Sequence, residues 1–379
     1  MPGVAAGAAV AAGAAAGTAA MPAAAQPTAT ADAAKAAPAV THRIAARELV
    51  SPEQLAVLRE RSEWKGIWLI AHAWLVIVGA IALVAAFPNP LTYLLAVLLI
   101  GSRQLGLFVL VHEGAHRCFS IDERRNMALS QWLCAYPLFA DTVAYRRYHL
   151  QHHAHTQQAD DPDLVLSAPF PITKASYRRK FWRDITGRTG YQQRKAQLLN
   201  ALGDPAWPVK RRLRHLWDKL GPQLVVNALL LAFMALAGVW WAYPLLWLVP
   251  LLTWMMVITR IRNIAEHAVV PDSDDPLRNT RTTRAGRIER ALVAPYFVNY
   301  HLEHHLLFYV PCYNLPRLHA ILMQGPHARR MEVQPGYLSV LRLATARPAS
   351  EDRPGAIVNN ARRLRGGGPV GEDQASAGV

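Results

Sequence analysis

The hydrophobic pattern begins with two long apolar stretches joined by a short turn. Ile67 to Phe87 is a run of 21 residues broken only by His72, and Leu91 to Val111 follows the turn Pro88-Asn89-Pro90. At 1.5 Å per residue, a helix of the first length spans about 31 Å, the thickness of one hydrocarbon core. The pattern therefore predicts two membrane-spanning helices, and we interpret His72 as a packed or interfacial side chain.

A second apolar region lies in the other half of the chain. Leu224 to Thr259 would extend about 54 Å as a single helix, which is too long for one span. Ala242-Tyr243-Pro244 divides it, so we predict two further spans. Met127 to Ala140 is apolar but too short to cross a bilayer, and we expect an interfacial or re-entrant helix there. The pattern thus predicts an all-α membrane protein with four transmembrane helices in two hairpins.

Basic residues are distributed unevenly around these spans. The chain has 379 residues, is 52% hydrophobic and carries a formal net charge of +15. The turns at 88–90 and 242–244 contain no Lys or Arg, whereas the N-terminal segment, the 112–222 loop and the C-terminal region carry nearly all of them. By the positive-inside rule, both termini and the loop face the cytoplasm. We therefore expect a multi-pass integral membrane protein with a cytoplasmic helical cap.

Basic and aromatic residues alternate between Lys174 and Lys219. The aromatic ones are Tyr177, Phe181, Trp182, Tyr191, Trp207 and Trp217. Such a mixture also suits nucleic acid, but beside membrane spans it usually lies at lipid headgroups. We therefore expect this stretch on the membrane surface and no nucleic-acid partner.

Composition separates one domain from two tails. Residues 1–40 are Ala-rich and nearly uncharged, and residues 346–379 are rich in Arg, Gly and Pro, so both are expected to be disordered. Residues 41–345 are predicted to form the membrane domain. Near its start, Ser51-Pro52-Glu53-Gln54 predicts a helix N-terminus with Ser as the cap.

Histidines cluster in three short motifs, or boxes. The boxes are His112-Glu113-Gly114-Ala115-His116, His149-Leu150-Gln151-His152-His153 and His301-Leu302-Glu303-His304-His305. On a helix, positions i, i+3 and i+4 share one face, so the rings of each box can converge. Neutral imidazole is the commonest nitrogen ligand of protein-bound zinc, copper, iron and nickel. Because the boxes lie on one predicted side of the membrane, we expect them to build one metal site.

The number of histidines indicates more than one metal ion. The boxes hold eight of the fifteen histidines, whereas one catalytic zinc usually takes three protein ligands. Cys118, Cys134 and Cys312 are isolated, which excludes an iron–sulfur site of the usual spacing. Eight imidazoles suit two metal ions with open positions, and iron is the one that activates O₂.

One motif also permits a different class of enzyme. His112-Glu113-x-x-His116 matches the zinc-protease pattern HExxH, in which Glu is the general base. Gly114 within that helix costs only about 1 kcal/mol and does not decide between the two classes. A zinc protease needs one further ligand and leaves the two HxxHH boxes unexplained, so we keep it as a remote alternative.

The boxes resemble those of the integral-membrane fatty acid desaturase and hydroxylase superfamily over about residues 65–325. The run that continues the third box through Leu306 to Pro311, followed by Asn314-Leu315-Pro316, is similar to the desaturase version. The sequence of the first box, His112 to Arg117, resembles that of the bacterial branch that includes dihydrorhizobitoxine desaturase, which implies a bacterial inner membrane.

This resemblance implies a chemistry. It implies two iron ions, O₂ as co-substrate and hydrogen abstraction from an unactivated CH₂ of a fatty acyl or lipid chain, with a double bond as the outcome. A di-iron hydroxylase acting on a lipid or carotenoid-like substrate is the alternative. No electron-transfer module is recognisable in the chain, so electrons would come from a separate ferredoxin- or cytochrome b5-like donor. The basic 174–219 stretch is a candidate docking face for it.

The resemblance also implies a ninth ligand, because members use an additional histidine between the second and third boxes, and His267 matches that position. The implied ligand set is His112, His116, His149, His152, His153, His267, His301, His304 and His305. His155 does not fit the box spacing. Metal-bound imidazoles usually donate their other N–H to an acceptor. The candidate acceptors are Glu113, Asp160, Asp161, Asp163, Glu266 and Glu303.

Overall fold

The computed structural model describes residues 43–348, and within them the chain is almost entirely helical. The N-terminal half contains α1 Ala46–Leu49, α2 Pro52–Leu58, α3 Glu63–Ala86, α4 Pro90–Ala115, α5 Glu123–Ser130, α6 Thr142–His155, α7 Leu164–Ser167 and α8 Lys174–Ile185. The C-terminal half contains α9 Arg188–Leu202, α10 Val209–Leu236, α11 Val249–Leu252, α12 Trp254–His267, α13 Arg287–Leu292, α14 His301–Leu306, α15 Leu315–Leu322 and α16 Tyr337–Ala344. Two-residue strands β1 Thr282–Thr283 and β2 Val333–Gln334 pair in parallel. Most of the two predicted tails, 1–40 and 346–379, lies outside the described residues.

Four helical stretches are long and apolar enough to cross a membrane, as the hydrophobic pattern predicts. They are α3, α4, α10 and the stretch Tyr243–His267 that ends with α12. The predicted fold class, an all-α protein with four candidate membrane spans, is therefore confirmed.

The first turn forms as its residues dictate. Pro90 opens α4, and the side-chain oxygen of Asn89 accepts hydrogen bonds from the backbone N–H groups of Leu91 at 3.0 Å and Thr92 at 3.1 Å. These bonds satisfy N–H groups that have no partner inside a helix. The predicted N-terminus at Ser51 is also confirmed, because Ser51 and Gln54 form a reciprocal capping box.

The spans differ in how much of their surface is covered by protein. Large apolar side chains of α3 and α10 are exposed, including Leu75 at 62% and Phe233 at 69%. In α4, by contrast, most residues of the apolar stretch are buried, and α3, α6 and α12 all contact it. Apolar surface of this extent on a single chain indicates a lipid environment. Helix α4 is the central element around which the others pack.

The third span begins earlier than the apolar pattern predicts. Helix α10 starts at Val209, directly after Pro208, rather than at Leu224. Lys and Arg have helix propensities close to that of Leu, so the apolar pattern marks only part of this helix. The basic 174–219 stretch is accordingly helical, consisting of α8, α9 and the first turns of α10.

The fourth span is irregular at two points. A π-helical segment, Tyr243–Leu248, precedes α11, and Thr253 interrupts the helix with φ −118° and ψ −87°. Pro244 and Pro250 lack the backbone N–H that a regular helix requires, which accounts for the departure. The predicted short apolar helix at 127–140 is likewise composite, because α5 continues into the π-helical turn Gln131–Ala135.

Candidate metal centre

Helix α4 carries the first box at its C-terminal end. The sequence predicts His112 just past a membrane span, whereas the structure places it inside the last turn of α4, with His116 as the cap residue. Gly114 permits the close packing of this end. A Cβ at this position would lie 2.2 Å from Oγ of Ser130. The carbonyl of Gly114 accepts a hydrogen bond from Nδ2 of Asn126 at 2.8 Å.

Helix α6 carries the second box. The side chain of Asp141 caps its N-terminus by accepting from the backbone N–H of Ala144 at 2.8 Å. The i, i+3 and i+4 positions then place His149, His152 and His153 on one buried face.

The third box occupies α14, a helix of only six residues, and His267 is the last residue of α12. His301 and His304 are buried, and His305 is half-buried. Such a short helix has little stability of its own, so its position depends on tertiary contacts.

The nine predicted ligands converge in two groups. The five-histidine group contains His112, His116, His149, His153 and His304, and the four-histidine group contains His152, His267, His301 and His305. In each group the candidate ligand nitrogens lie within 4.8 Å of one another. The structure therefore brings all nine histidines together, including His267, which lies outside the boxes.

Ring nitrogens in each group face a common point. In the four-histidine group, Nε2 of His301 lies 2.8 Å from Nε2 of His267 and 3.0 Å from Nε2 of His305. Nε2 of His305 in turn lies 3.3 Å from Nε2 of His152. In the other group, Nε2 of His153 lies 3.0 Å from Nε2 of both His149 and His304.

These separations fit metal coordination. Two nitrogens about 2.0–2.1 Å from one ion, at right angles to each other, are about 3 Å apart. His116 gives a second indication, because it is buried and neither ring nitrogen has a hydrogen-bond partner within residues 43–348. A buried polar atom without a partner is costly unless a ligand satisfies it. The donor set thus fits two metal ions.

Carboxylates lie beside three of the imidazoles, and that of Asp161 is within hydrogen-bonding distance. Oδ1 of Asp161 lies 2.8 Å from Nδ1 of His152, and an Asp163 oxygen is 3.7 Å from the same nitrogen. Glu266 lies 3.7 Å from Nδ1 of His301, and Glu113 lies 3.5 Å from Nδ1 of His112. A contact through Nδ1 leaves Nε2 available to a metal, which is the expected arrangement.

Two of the predicted acceptors do not contact these rings. Asp160 is exposed, and its backbone carbonyl, rather than its carboxylate, accepts a hydrogen bond from Gln151. Glu303 is buried, but its carboxylate bonds to His319 and Thr282. Sequence spacing cannot show which carboxylates contact the ligand rings, because the direction of a carboxylate depends on which neighbour packs beside it.

The electrostatic environment favours neutral imidazoles at most positions. Burial lowers the pKa of His149, His153, His301, His304 and His305 well below the usual value, and neighbouring histidines lower each pKa further. His152 is the exception. Burial lowers its pKa, but Asp161 and Asp163 outweigh that effect and raise the pKa to about 9. The neutral form is the one that binds metal.

A small cavity of about 30 Å³ adjoins both groups. It is lined by His112 and His149 of the five-histidine group and by His152, His267 and His301 of the four-histidine group. Polar side chains of Tyr145, Asp163, Arg262, Asn263 and Glu266 complete the lining beside Val109, Leu166 and Val298. The space suffices for a molecule the size of water, so a small co-substrate can lie beside both groups.

Several contributors were not identified from the sequence. His319 hydrogen-bonds Glu303 at 2.6 Å, and Tyr145 stacks on His149 with ring centroids 5.1 Å apart. Isolated residues of common types carry no spacing signal, so the pattern could not reveal them. His72, interpreted as a packed side chain, contacts the hydroxyl of Tyr296 at 3.0 Å, and His155 belongs to neither metal group.

The position of Glu113 does not suit a zinc-protease base. One carboxylate oxygen accepts a hydrogen bond from the backbone N–H of Cys312 at 2.8 Å. Glu113 therefore connects α4 to the chain after the third box and is not free to activate water. The two groups also contain six histidines that HExxH and a third zinc ligand would leave without a role.

The sequence of this chain is similar to those of an enzyme family and of known enzymes. A family model, fatty acid desaturase, matches residues 88–336. A dihydrorhizobitoxine desaturase of Bradyrhizobium elkanii is 31% identical over 256 residues, covering 65% of this chain and 72% of that protein. A beta-carotene ketolase of Paracoccus sp. is 25% identical over 254 residues, covering 66% of this chain and 86% of the ketolase.

A third relative is named for a reaction on a lipid. An sn-1 oleoyl-lipid 12-desaturase of Picosynechococcus sp. is 27% identical over 302 residues, covering 72% of this chain and 80% of that enzyme. The matched region contains all three boxes and His267. The chain belongs to the fatty acid desaturase family, and it is an oxidoreductase of that family.

Proposed function

We propose that this protein is an O₂-dependent di-iron membrane desaturase that introduces a double bond into a fatty acyl or lipid chain. The observation that carries the proposal is the convergence of nine imidazoles into groups of five and four. Iron bound there would supply O₂ activation and hydrogen abstraction from CH₂ groups. The overall reaction consumes O₂, two electrons and two protons, and releases the alkene and two waters.

The chain itself holds and shields this chemistry. His112, His116, His149, His153 and His304 would bind one iron, and His152, His267, His301 and His305 would bind the other. Burial of the groups excludes bulk water, and Asp161, 2.8 Å from Nδ1 of His152, orients that ring so that Nε2 faces inward. The cavity beside both groups is the candidate position for O₂.

The substrate class follows from where the groups lie along the helices. His112 lies in the last turn of the candidate membrane span α4, and His267 ends the fourth span. An apolar chain leaving the bilayer at this level would approach both irons without crossing bulk water. We therefore propose a membrane-delivered acyl substrate, as the name of the lipid 12-desaturase relative also suggests.

Hydroxylation is the second candidate function, because one relative is named a ketolase. Both outcomes begin with the same hydrogen abstraction and differ in how closely the second hydrogen approaches the metal, a matter of fine positioning. The continuation of the third box through Pro311 favours the desaturase outcome.

The orientation and the electron donor belong to the same proposal. We propose that the spans form two hairpins, with both termini and a histidine-bearing cap in the cytoplasm of a bacterial cell. An acidic ferredoxin- or cytochrome b5-like donor would dock on α8, where Arg178, Arg179 and Arg183 are exposed. Asp184 of α8 pairs with Arg260 of α12, so this surface is joined to the helix that carries His267.

The proposal is tested on purified full-length protein. Elemental analysis should find about two irons per chain and no stoichiometric zinc, as nine imidazoles divided into two groups require. Turnover with a reduced donor, ¹⁸O₂ and candidate lipids should yield a new double bond without ¹⁸O in the lipid. A product with ¹⁸O on carbon and no double bond would establish the hydroxylase instead, and one zinc per chain would refute the di-iron site.

A further inference from the structure

The segment 279–283, which includes β1, is polar in every residue and yet buried. Asn279, Thr280, Arg281, Thr282 and Thr283 are each at most 2% exposed. Burial of polar side chains is unfavourable unless they find hydrogen-bond partners. The partners of Arg281 and Thr282 lie on the two helices that carry His267 and the third box.

Arg281 binds the C-terminal end of α12. Its guanidinium donates to the carbonyls of Ala265 at 3.2 Å, Ala268 at 2.9 Å and Val269 at 2.9 Å, and its Nε donates to Glu332 at 3.0 Å. The last carbonyls of a helix have no partner inside it, so a fixed cation there is favourable. His267 lies between the carbonyls that Arg281 binds.

The backbone after His267 needs such support. Val269 has a φ of +54°, in the left-handed region that β-branched residues rarely adopt. Arg281 binds the carbonyls of Ala268 and of Val269 itself, so it holds this turn directly. Arg281 therefore helps to fix the direction in which α12 presents His267, together with Gln157, whose side-chain amide donates to the carbonyl of His267 at 3.3 Å.

Thr282 binds the other helix. Its hydroxyl donates to Glu303, which lies between His301 and His304 on α14 and is also bonded by His319. Thr282 additionally forms a β-bridge with Tyr300, the residue before α14. Arg281 directly precedes β1 and Thr282 begins it, and these adjacent side chains reach two different helices.

We propose that Arg281 and Thr282 are positioning residues that set the geometry of the four-histidine group. This inference rests on the proposed metal centre. Three members of the group, His267, His301 and His305, lie on the two helices that these side chains join. Only one member of the five-histidine group, His304, lies on these two helices. Its other members lie on α4, at the C-terminal end of α4 and on α6. Removing the contacts of Arg281 or Thr282 should therefore weaken metal binding at the four-histidine group more than at the five-histidine group.

The test is anaerobic titration of chelator-treated, full-length protein in detergent with Fe²⁺, against a competing chromophoric chelator. Wild type should bind two ions, and His152→Ala identifies the step that belongs to the four-histidine group. Arg281→Lys keeps the charge but loses the planar, forked set of donors. Thr282→Val keeps the shape but removes the hydroxyl.

We expect each variant to weaken binding at the four-histidine step by about 10–100-fold, the usual effect of altering residues behind metal ligands. The other step should keep its wild-type affinity. Thr282→Ser, which retains the hydroxyl, should restore the affinity of the weakened step. Arg284→Lys is the matched control, because Arg284 is an exposed arginine two residues beyond Thr282 and its variant should titrate as wild type.

The outcomes separate this inference from the proposed function. Unchanged titration in a folded Thr282→Val protein, or equal weakening of both steps, would overturn the positioning role while leaving the di-iron centre intact. If Arg281→Lys fails to fold, judged by size exclusion and helix content, Thr282→Val decides alone. A wild-type protein that binds no iron would overturn the metal centre and this inference with it.

Discussion

Asp161 and His152 form a buried pair in which a carboxylate oxygen lies 2.8 Å from Nδ1 of the imidazole. Asp161 also accepts hydrogen bonds from the backbone N–H groups of Gln157 and Asp163, each at 2.8 Å. The carboxylate is thereby fixed, and it fixes the ring so that Nε2 faces the four-histidine group.

Asp161→Asn should weaken metal binding at that group. The amide remains isosteric but is a poorer acceptor, so the ring loses orientation and basicity, and we expect about 10–100-fold lower affinity. Iron content after dialysis against a weak chelator measures the effect. Asp160→Asn is the control, because Asp160 is exposed and its carboxylate does not contact His152. Equal iron retention by the two variants would show that the buried pair has no role in metal binding.

Metal binding at the four-histidine group should depend on pH. In the metal-free protein the carboxylates beside His152 raise its pKa to about 9, so at pH 7 the ring is protonated and must release a proton to bind metal. Affinity at this step should therefore rise from pH 7 to about 9 and then level off. Histidines of the other group have lowered pKa values, so their step should be flat over this range. Identical pH profiles for the two steps would contradict the assignment.

The pKa of His152 also affects the stability of the metal-free protein. A folded-state pKa raised above the unfolded value of about 6.5 stabilises the fold fully below that pH. This contribution should be lost as the pH rises through about 9. The change in unfolding temperature between pH 6 and pH 9, compared between chelator-treated wild type and Asp161→Asn, isolates this contribution, because the histidines with lowered pKa values affect both proteins alike.

His267→Ala tests the predicted ligand outside the boxes. Nε2 of His267 lies 2.8 Å from that of His301, so its removal should take iron content from about two per chain to about one and abolish turnover. His155→Ala is the matched control on a neighbouring helix, since His155 belongs to neither group. Full iron and activity in His267→Ala would remove His267 from the ligand set.

Two glycines should respond oppositely to alanine. In Gly114→Ala the new methyl would lie 2.2 Å from Oγ of Ser130, whose hydroxyl is already bonded to Thr142 at 2.8 Å, so we expect about 1–3 kcal/mol of destabilisation. In Gly79→Ala nothing lies within 4 Å, and alanine in a helix is favoured over glycine by roughly 0.5–1 kcal/mol. Thermal unfolding in one detergent compares them. A stable Gly114→Ala protein would show that α4 and α5 are not closely packed in solution.

Turnover with an acidic soluble donor should fall as salt rises. Exposed charges are screened over about 8–10 Å at physiological ionic strength, and docking on α8 would rely on them. Replacing Arg178, Arg179 and Arg183 with Gln should raise the KM for the donor and flatten the salt dependence. Arg124→Gln, at another exposed basic position, is the control. Salt-independent turnover by wild type would exclude this docking surface and leave the catalytic proposal untouched.

Local pattern alone determined most of the architecture. Four apolar stretches predicted four spans, because a bilayer imposes a length and a composition that a sequence displays directly. The boxes predicted eight of the clustered histidines, since i, i+3 and i+4 positions share a face on any helix. The N-terminus at Ser51 was also readable, because its capping box is formed by residues three apart.

Tertiary structure decided how those pieces divide and what holds them. Neighbouring residues of one box, His152 and His153, face different groups, and the partition into five and four depends on how α4, α6, α12 and α14 pack. His267 joins them only because α12 ends beside α14. Arg281 and His319 lack any spacing signal, because their partners are carbonyls and carboxylates that only the folded chain brings within hydrogen-bonding distance.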